Sequence, residues 1–521
     1  MRIARILAGL AILALIFSAS ARAETTLTYS SASNVGPLNP HAYAPNEMFA
    51  QAMLYEPLVK YQADGTIAPW LATGWTISGD GHIYTFTLRR DVKFSDGTVF
   101  DAAAVKANFD TILASRDRHS WLELANQIRK TEVLDAATFR LTLKQAYYPV
   151  LQELALIRPF RFISPAAIPA EGTADNIVSP VGTGPWKLAE TKLGEYDLFV
   201  RNETYWGPKP EFDRVLVKVI PDPNSRAVAF ETGDIDLIYG AGQISPDVFA
   251  RFQAMYPGKA KVSQPVATEM IALNTQRAPT SDLFVRKAIN HAVDKDAIVN
   301  SVLYGTQKRA DALFAPNFPY ANVGLHPYAY DPAKAEALLD EAGWRRAKGE
   351  DIRAKGSVKL RVELCYVGNN AQQKAIAEVI QAELRRIGID ATLVGEEANA
   401  FETRQRQGEF GMIFGETWGA PYDPHSFISS MRVPSHADYQ AQLGLPLKGE
   451  LDAKIGEVLV TVDETKRQRL YRDILTALHE EAVYLPLAYS TSLLVAGPRL
   501  DEAGFGPSVS EIPFETYRPA R

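Results

Sequence analysis

The side chains best equipped for chemistry are imidazole and guanidinium groups gathered in two parts of the chain. The first is an irregular, aromatic-rich stretch, Gly415 to His436, holding Trp418, Tyr422, Asp423-Pro424, His425, Met431, Arg432 and Pro434-Ser435-His436. Neutral imidazole is a good ligand for nickel, copper and zinc, and Trp418 and Tyr422 offer faces on which a planar ligand can stack. His425 reads as a surface or hydrogen-bonded residue. For His436, proline and serine alongside indicate only an exposed loop, so the residues leave it open between metal ligand and ordinary loop side chain.

The second part is cationic. Arg116, Arg118 and His119 precede Trp121, and Arg158 and Arg161 bracket Pro159-Phe160. The guanidinium fork matches a carboxylate in bidentate fashion and is steadied by stacking on aromatic rings. Arginines of this kind also make structural ion pairs, and spacing does not separate the two uses. A metal site with one imidazole and nearby arginines carries a definite implication. The remaining ligands must arrive with the metal, as a small carboxylate-bearing chelator whose negative charge the arginines hold.

Much other chemistry is missing. There is no Gly-Lys-Ser or Gly-Lys-Thr for a phosphate loop, no G-x-G-x-x-G after a strand, no H-E-x-x-H and no G-x-S-x-G. None of the eight histidines is paired with another at helical spacing, and the single cysteine, Cys365, excludes a disulfide or cysteine-based zinc site within the chain. Cys365 itself reads as a small packed residue. A net charge of −6 argues against a dedicated nucleic-acid binder. Scattered carboxylates leave a secreted hydrolase as the reading from another class.

These residues need a scaffold, and 521 residues with 46% hydrophobic side chains suffice for two or three cores. Arg2 and Arg5, an apolar run from Ile6 to Phe17 and Ala21-Arg22-Ala23 read as a secretory signal over residues 1–23. The run is shorter than the roughly 20 residues a bilayer requires, so the expected product is an exported, monomeric periplasmic protein. Strands and helices then alternate. Tyr84, Phe86 and Leu88 alternate with threonines as in a half-buried strand. Helices are expected after the caps Asp101, Asp282, Asp331 and Asp463. Val358 to Tyr366 reads as a full strand, followed by a helix carrying Ile376, Val379, Ile380, Leu384 and Ile387, then Gly388 and a strand over Ile389 to Val394. This βαβ unit requires a parallel pair of strands. Phe410 to Phe414 reads as a buried strand, a strand starts at Met270, and Glu481 to Tyr489 returns as another. The fold class is α/β; residues 24–266 with 491–521 (lobe I) and 267–490 (lobe II) are its expected parts, and the hinge that two strands cross between them is what the family resemblance carried by the motifs that follow implies.

At these residues the chain resembles the extracytoplasmic solute-binding proteins of peptide/nickel-type ABC importers. The resemblance covers essentially all of the chain after residue 23. It rests on Tyr55-Glu56-Pro57-Leu58, Lys93 to Gly97 (KFSDG), Gly182 to Trp186 (GTGPW), Phe230 to Asp236 (FETGDID) and the Asp331-Pro332 helix ending in Ala342-Gly343-Trp344. Asn34 to His41 (NVGPLNPH), Ser120 to Asn126 (SWLELAN), Arg158 to Phe162 (RPFRF), Trp418 to His425 (WGAPYDPH) and Met431 to Asp438 (MRVPSHAD) point to the nickel branch. The resemblance implies a nickel–chelator complex, with a tricarboxylate or histidine as chelator, caught between two lobes and passed to permease subunits in the inner membrane. It implies that His436 ligates nickel, that Arg118 and Arg158 hold the chelator's carboxylates, and that Met48, Trp121, Trp418 and Tyr422 line the pocket. Ser510 stands where a ligand-bonding threonine is expected and keeps the hydroxyl; Glu402 stands in place of a pocket tyrosine and would add negative charge there. Peptide-binding relatives place an aspartate shortly after the loop tryptophan, where this chain has Gly419-Ala420-Pro421. A peptide- or haem-binding receptor of the same importer family is the remaining alternative.

Overall fold

Alternation of apolar residues becomes alternation of burial. In the strand Ile83–Leu88, Tyr84, Phe86 and Leu88 are buried while the residues between them are not. This strand belongs to an antiparallel four-stranded sheet with spatial order Ala72–Ile77, Ile83–Leu88, Thr138–Leu143, Ile128–Asp135. The computed structural model describes residues 24–520 apart from 44, 45, 120 and 435. The secretory-signal reading over residues 1–23 therefore lies outside the described residues. A second four-stranded sheet pairs Thr26–Ser31 in parallel with Arg214–Val219, followed by Tyr196–Arg201 and Trp186–Lys192.

The sequence motifs meet in space. Buried Glu56 accepts hydrogen bonds from Trp70 Nε1 (2.8 Å), Thr183 Oγ1 (2.7 Å), Tyr205 Oη (2.9 Å) and Trp206 Nε1 (2.8 Å). Burial raises its pKa while these four donors oppose the rise. The GTGPW segment packs so closely on the end of the helix Met48–Leu54 that a Cβ at Gly182 would lie 1.9 Å from the Leu54 carbonyl oxygen. Only glycine fits there.

The largest sheet has seven strands. Its main path runs Leu237–Gly240, Tyr484–Ala496, Ala260–Leu273, Met412–Glu416, Arg361–Val367, Asp390–Glu396. Two of these strands are long and antiparallel. The expected start at Met270 is moved back to Ala260, and the expected return over Glu481 to Tyr489 is extended to Ala496. The second was misjudged because all thirteen residues of Tyr484–Ala496 are buried, so no polar phase marks the strand; the first because its N-terminal half is irregular, with mixed burial and register shifts at Val262/Pro265 and Pro265/Ala267. One end of this pair, with Ala260, Leu493 and Val495, packs in the cores of the N-terminal part. The other end, Met270 to Leu273 and Tyr484 to Tyr489, packs in a different core. Register shifts at Val262/Pro265, Pro265/Ala267 and Glu269/Met270 lie between the two ends.

The βαβ unit is present, with Arg361–Val367 parallel to Asp390–Glu396 and the helix Ala371–Arg386 between them. Asn370 caps that helix, and Gly388 follows it at φ +90°. The strand expected from Val358 is divided at Leu360: Val358–Lys359 pairs with Ala354–Lys355, and only Arg361–Val367 enters the large sheet. The pleat continues across a change of partner, so sequence alternation does not register the break. Asp101, Asp282, Asp331 and Asp463 each accept a backbone N–H of the helix that follows. Cys365 is fully buried, and burial pushes its thiol up to about 12. It is a packing residue.

Residues 58–162 share an apolar core with residues 270–489. Their junction includes Tyr148, whose N–H donates to Leu459 O at 3.1 Å and whose ring lies 4.3 Å beneath the Arg467 guanidinium. Its hydroxyl pairs with Tyr471 Oη.

Candidate functional site

The aromatic loop leaves the strand Met412–Glu416 at its exposed end and folds back onto the bulged part of the long strand Ala260–Leu273. Gly419, at φ +76°, passes so near Val266 that a Cβ would lie 2.4 Å from its carbonyl oxygen. Ala420 N–H donates to that same oxygen at 3.2 Å. Asp423 turns inward and accepts the Gly419 N–H at 3.0 Å; burial raises its pKa to about 7. It organises the loop from within and presents no acid to the cleft. His425 is buried too, with its pKa pushed down to about 3 and its ring 6.5 Å from Tyr148. That is a core position and not the surface or hydrogen-bonded one expected from sequence: among the described residues its buried Nε2 has no hydrogen-bond partner.

His436 sits at the N-cap of the helix Ala437–Gln442. It is half-buried, with its ring 5.7 Å from Trp418, and burial lowers its pKa. The neutral imidazole, the form that ligates metals, is thereby favoured. Trp418 also meets Trp121 at 6.2 Å and Tyr422 at 6.3 Å, and Trp121 meets Tyr422 at 6.2 Å. Tyr422, Met48 and Ser510 line one cavity, together with Tyr61, Ala420 and Glu511.

The arginines divide by environment. The Arg158 guanidinium lies half-buried, 5.0 Å from the Tyr43 ring centroid, and burial lowers its pKa against the influence of Tyr422, Tyr43 and Glu47. Among the described residues no carboxylate forms an ion pair with it. Arg161 is buried and fully engaged, paired with Glu511 and donating to Tyr55 O at 2.8 Å. Arg116 donates to Ile128 O at 3.0 Å. Arg118 is exposed and donates to the Ala174 carbonyl, although its charge still acts on Tyr43 and His119. Glu402 is exposed on the helix Ala398–Gln407 and, among the described residues, makes no ion pair.

Met48, Trp121, Arg158, Trp418, Tyr422, His436 and Ser510 are thus drawn into one neighbourhood, and Arg118 lies at its edge. Sequence reasoning missed Tyr43, which links Trp121 to Arg158, and Glu511, which lines the cavity while pairing with Arg161. Tyr43 stands two residues beyond the NVGPLNPH motif, close enough to have been noticed. Glu511 had no local signal, since its partner is 350 residues away. Among the described residues no group of three or more histidine, cysteine, aspartate or glutamate side chains is arranged to hold a metal ion.

A family profile for bacterial extracellular solute-binding proteins, family 5 Middle, matches residues 66–439. The nickel-binding periplasmic protein of Escherichia coli K12 is 56% identical over 506 residues, covering 97% of each chain. A crystal structure of NikA from Brucella suis in complex with Fe(III)-EDTA matches with a TM-score of 0.93 and 62% identity, covering 95% of this chain and 100% of that one. The dipeptide-binding protein of Escherichia coli K12 is 27% identical over 509 residues, covering 93% of this chain and 92% of the relative. The solved neighbours are two-lobed binding proteins, and the architecture here is theirs. The chain belongs to the bacterial extracellular solute-binding proteins of family 5, and it is a binding protein rather than an enzyme.

Proposed function

We propose that this protein captures nickel outside the cytoplasm as a complex with a small carboxylate-bearing chelator and delivers it to the permease of an ABC importer. Residues 24–266 and 491–521 act as lobe I, residues 267–490 as lobe II, and the bulged middle of the two long strands as the hinge between them. A single observation carries this reading: a half-buried guanidinium, Arg158, seated on an aromatic ring with no carboxylate paired to it among the described residues, close to a cavity lined by Tyr422. An unpaired buried cation calls for an anionic ligand. Half-buried His436, kept toward its neutral form, offers the coordination bond that a chelator of incomplete denticity leaves open. Arg118 assists from the rim.

The similarity to a nickel-binding protein at 56% identity supports nickel as the metal. Metal chelates named with related structures, Fe(III)-EDTA and Ni(L-His), support a complex as the cargo of this family branch. Isothermal titration tests the proposal. Nickel with two equivalents of L-histidine, or with citrate, is expected to bind far more tightly than nickel alone. Equal affinity for the bare ion, or displacement of the chelate by a dipeptide, overturns it.

A further inference from the structure

Behind the aromatic wall, a fully buried histidine is tied to the cleft through a tyrosine. His119 ends the short helical turn Arg116–His119, with its Nδ1 2.7 Å from the Tyr43 hydroxyl. The same hydroxyl oxygen accepts the Trp121 Nε1–H at 2.8 Å. The Tyr43 ring meets Trp121 edge-on at 5.9 Å and carries the Arg158 guanidinium at 5.0 Å. Two groups of the proposed chelate site therefore depend on where one phenol points.

The proton inventory gives this chain of contacts a direction. An indole N–H only donates, so it occupies one lone pair of the Tyr43 oxygen. Among the described residues His119 Nδ1 is the one acceptor within hydrogen-bonding reach of the hydroxyl proton. Burial, reinforced by the charge of Arg118, holds His119 neutral with a pKa of about 4. A neutral imidazole that accepts at Nδ1 carries its own proton on Nε2. Among the described residues His119 Nε2, which is buried, has no hydrogen-bond partner, so no competing contact there fixes the tautomer. Trp121 N–H to Tyr43 oxygen and Tyr43 O–H to His119 Nδ1 are two hydrogen bonds in series, in which each polarises the other.

We infer that His119 is a positioning residue of the chelate cleft: by accepting the Tyr43 hydroxyl proton on Nδ1, it orients the phenol that anchors Trp121 and seats Arg158. This role presupposes the chelate-binding function proposed above. It also gives a reason for burying an imidazole at a cost in unpaired hydrogen bonding.

Nitrogen NMR of histidine-labelled protein tests the hydrogen bond without any ligand. His119 Nδ1 is expected to resonate as an unprotonated, hydrogen-bonded nitrogen and Nε2 as a protonated one; the reverse pattern overturns the assignment. Titrations with nickel plus two equivalents of L-histidine, and separately with Fe(III)–EDTA, test the role. His119→Phe is expected to weaken binding about two- to tenfold, the weight of one neutral hydrogen bond. His119→Asn, which offers an amide oxygen near the Nδ1 position, restores most of the loss, and Tyr43→Phe reproduces it. In the Tyr43→Phe background, His119→Phe costs nothing further; an additive loss, or wild-type affinity for His119→Phe alone, overturns the role. If His119→Phe does not fold, His119→Gln with and without Tyr43→Phe supplies the same cycle. Wild-type protein that binds neither probe defeats the chelate reading, and the NMR pattern judges the hydrogen bond separately.

Discussion

Replacing Arg158 by methionine removes its charge while keeping most of its length, and the structure sets opposite expectations for folding and for binding. In the empty cleft the guanidinium is half-buried on Tyr43, burial disfavours its charged form, and no described carboxylate pairs with it. The variant loses a cation–π contact of about 0.5–2 kcal/mol and regains a desolvation cost of comparable size and opposite sign. The unliganded melting temperature is therefore expected to stay within a few degrees of wild type. Binding behaves otherwise. Losing one partner of a buried charged contact costs about 2–5 kcal/mol, which is about 30- to 5,000-fold in Kd. Arg158→Lys keeps the charge without the planar fork and is expected to lose about tenfold. Isothermal titration with nickel–histidine and with Fe(III)–EDTA, beside thermal unfolding of the ligand-free proteins, measures both effects. Unchanged affinity for both chelates refutes the clamp. A large fall in ligand-free stability refutes the claim that this charge has no structural partner.

Arg161→Met is expected to behave the opposite way, because Arg161 is buried and paired with Glu511: stability falls by about 3–5 kcal/mol, and an unchanged denaturant midpoint would contradict the pairing. His436→Ala is expected to alter the nickel K-edge spectrum of the bound complex, and an identical spectrum excludes direct ligation. Tyr148→Ala removes the contacts to Leu459, Arg467 and Tyr471. Its ligand-free form is expected to scatter X-rays with a larger radius of gyration, and no change shows that these contacts do not hold the lobes together. His41 and His425 have folded pKa values depressed to about 3 from 6.5. The unfolded chain binds more protons between those values, so their stabilising contribution is complete above about pH 6.5 and lost as pH falls toward 3. His425→Gln is expected to flatten that acid-side slope in pH-dependent unfolding, and an unaltered slope rules His425 out as a contributor.

Local order was readable wherever one residue acts on its near neighbours. The aspartate caps, Gly388 and the Tyr84/Phe86/Leu88 alternation all work within a few residues and appear in the structure as read. Burial on both faces defeated the same reasoning at Tyr484–Ala496, where nothing polar marks the strand's length. The divided strand at Leu360 escaped because the partner changes while the pleat does not. In the site, residue types announced the guanidinium and imidazole groups but not their engagement. Arg158 and Arg161 differ by three positions, yet one rests on Tyr43 and the other pairs with Glu511. Only tertiary packing, here a partner 350 residues away, decides which is free for a ligand.

The distribution of these groups along the chain bears on both selectivity and release. Tyr43, Trp121 and Arg158 precede the long strands, and Trp418, Tyr422 and His436 lie between them, yet Trp121 reaches both Trp418 and Tyr422 at 6.2 Å. On the proposed function a bare nickel ion gains one imidazole bond and meets Arg158 as a repulsive charge. A chelated ion whose ligand presents carboxylate oxygens gains that bond, the guanidinium and the aromatic faces together. Charge therefore discriminates for the complex more strongly than the metal–ligand bond alone discriminates among metals. The same division governs delivery. On the proposed lobes and hinge, closure adds the contributions of the two lobes on one ligand, whereas opening about the bulged strands leaves the guanidinium on one surface and the imidazole on the other. Neither surface then retains enough of the interaction to hold the complex against a permease that draws the lobes apart.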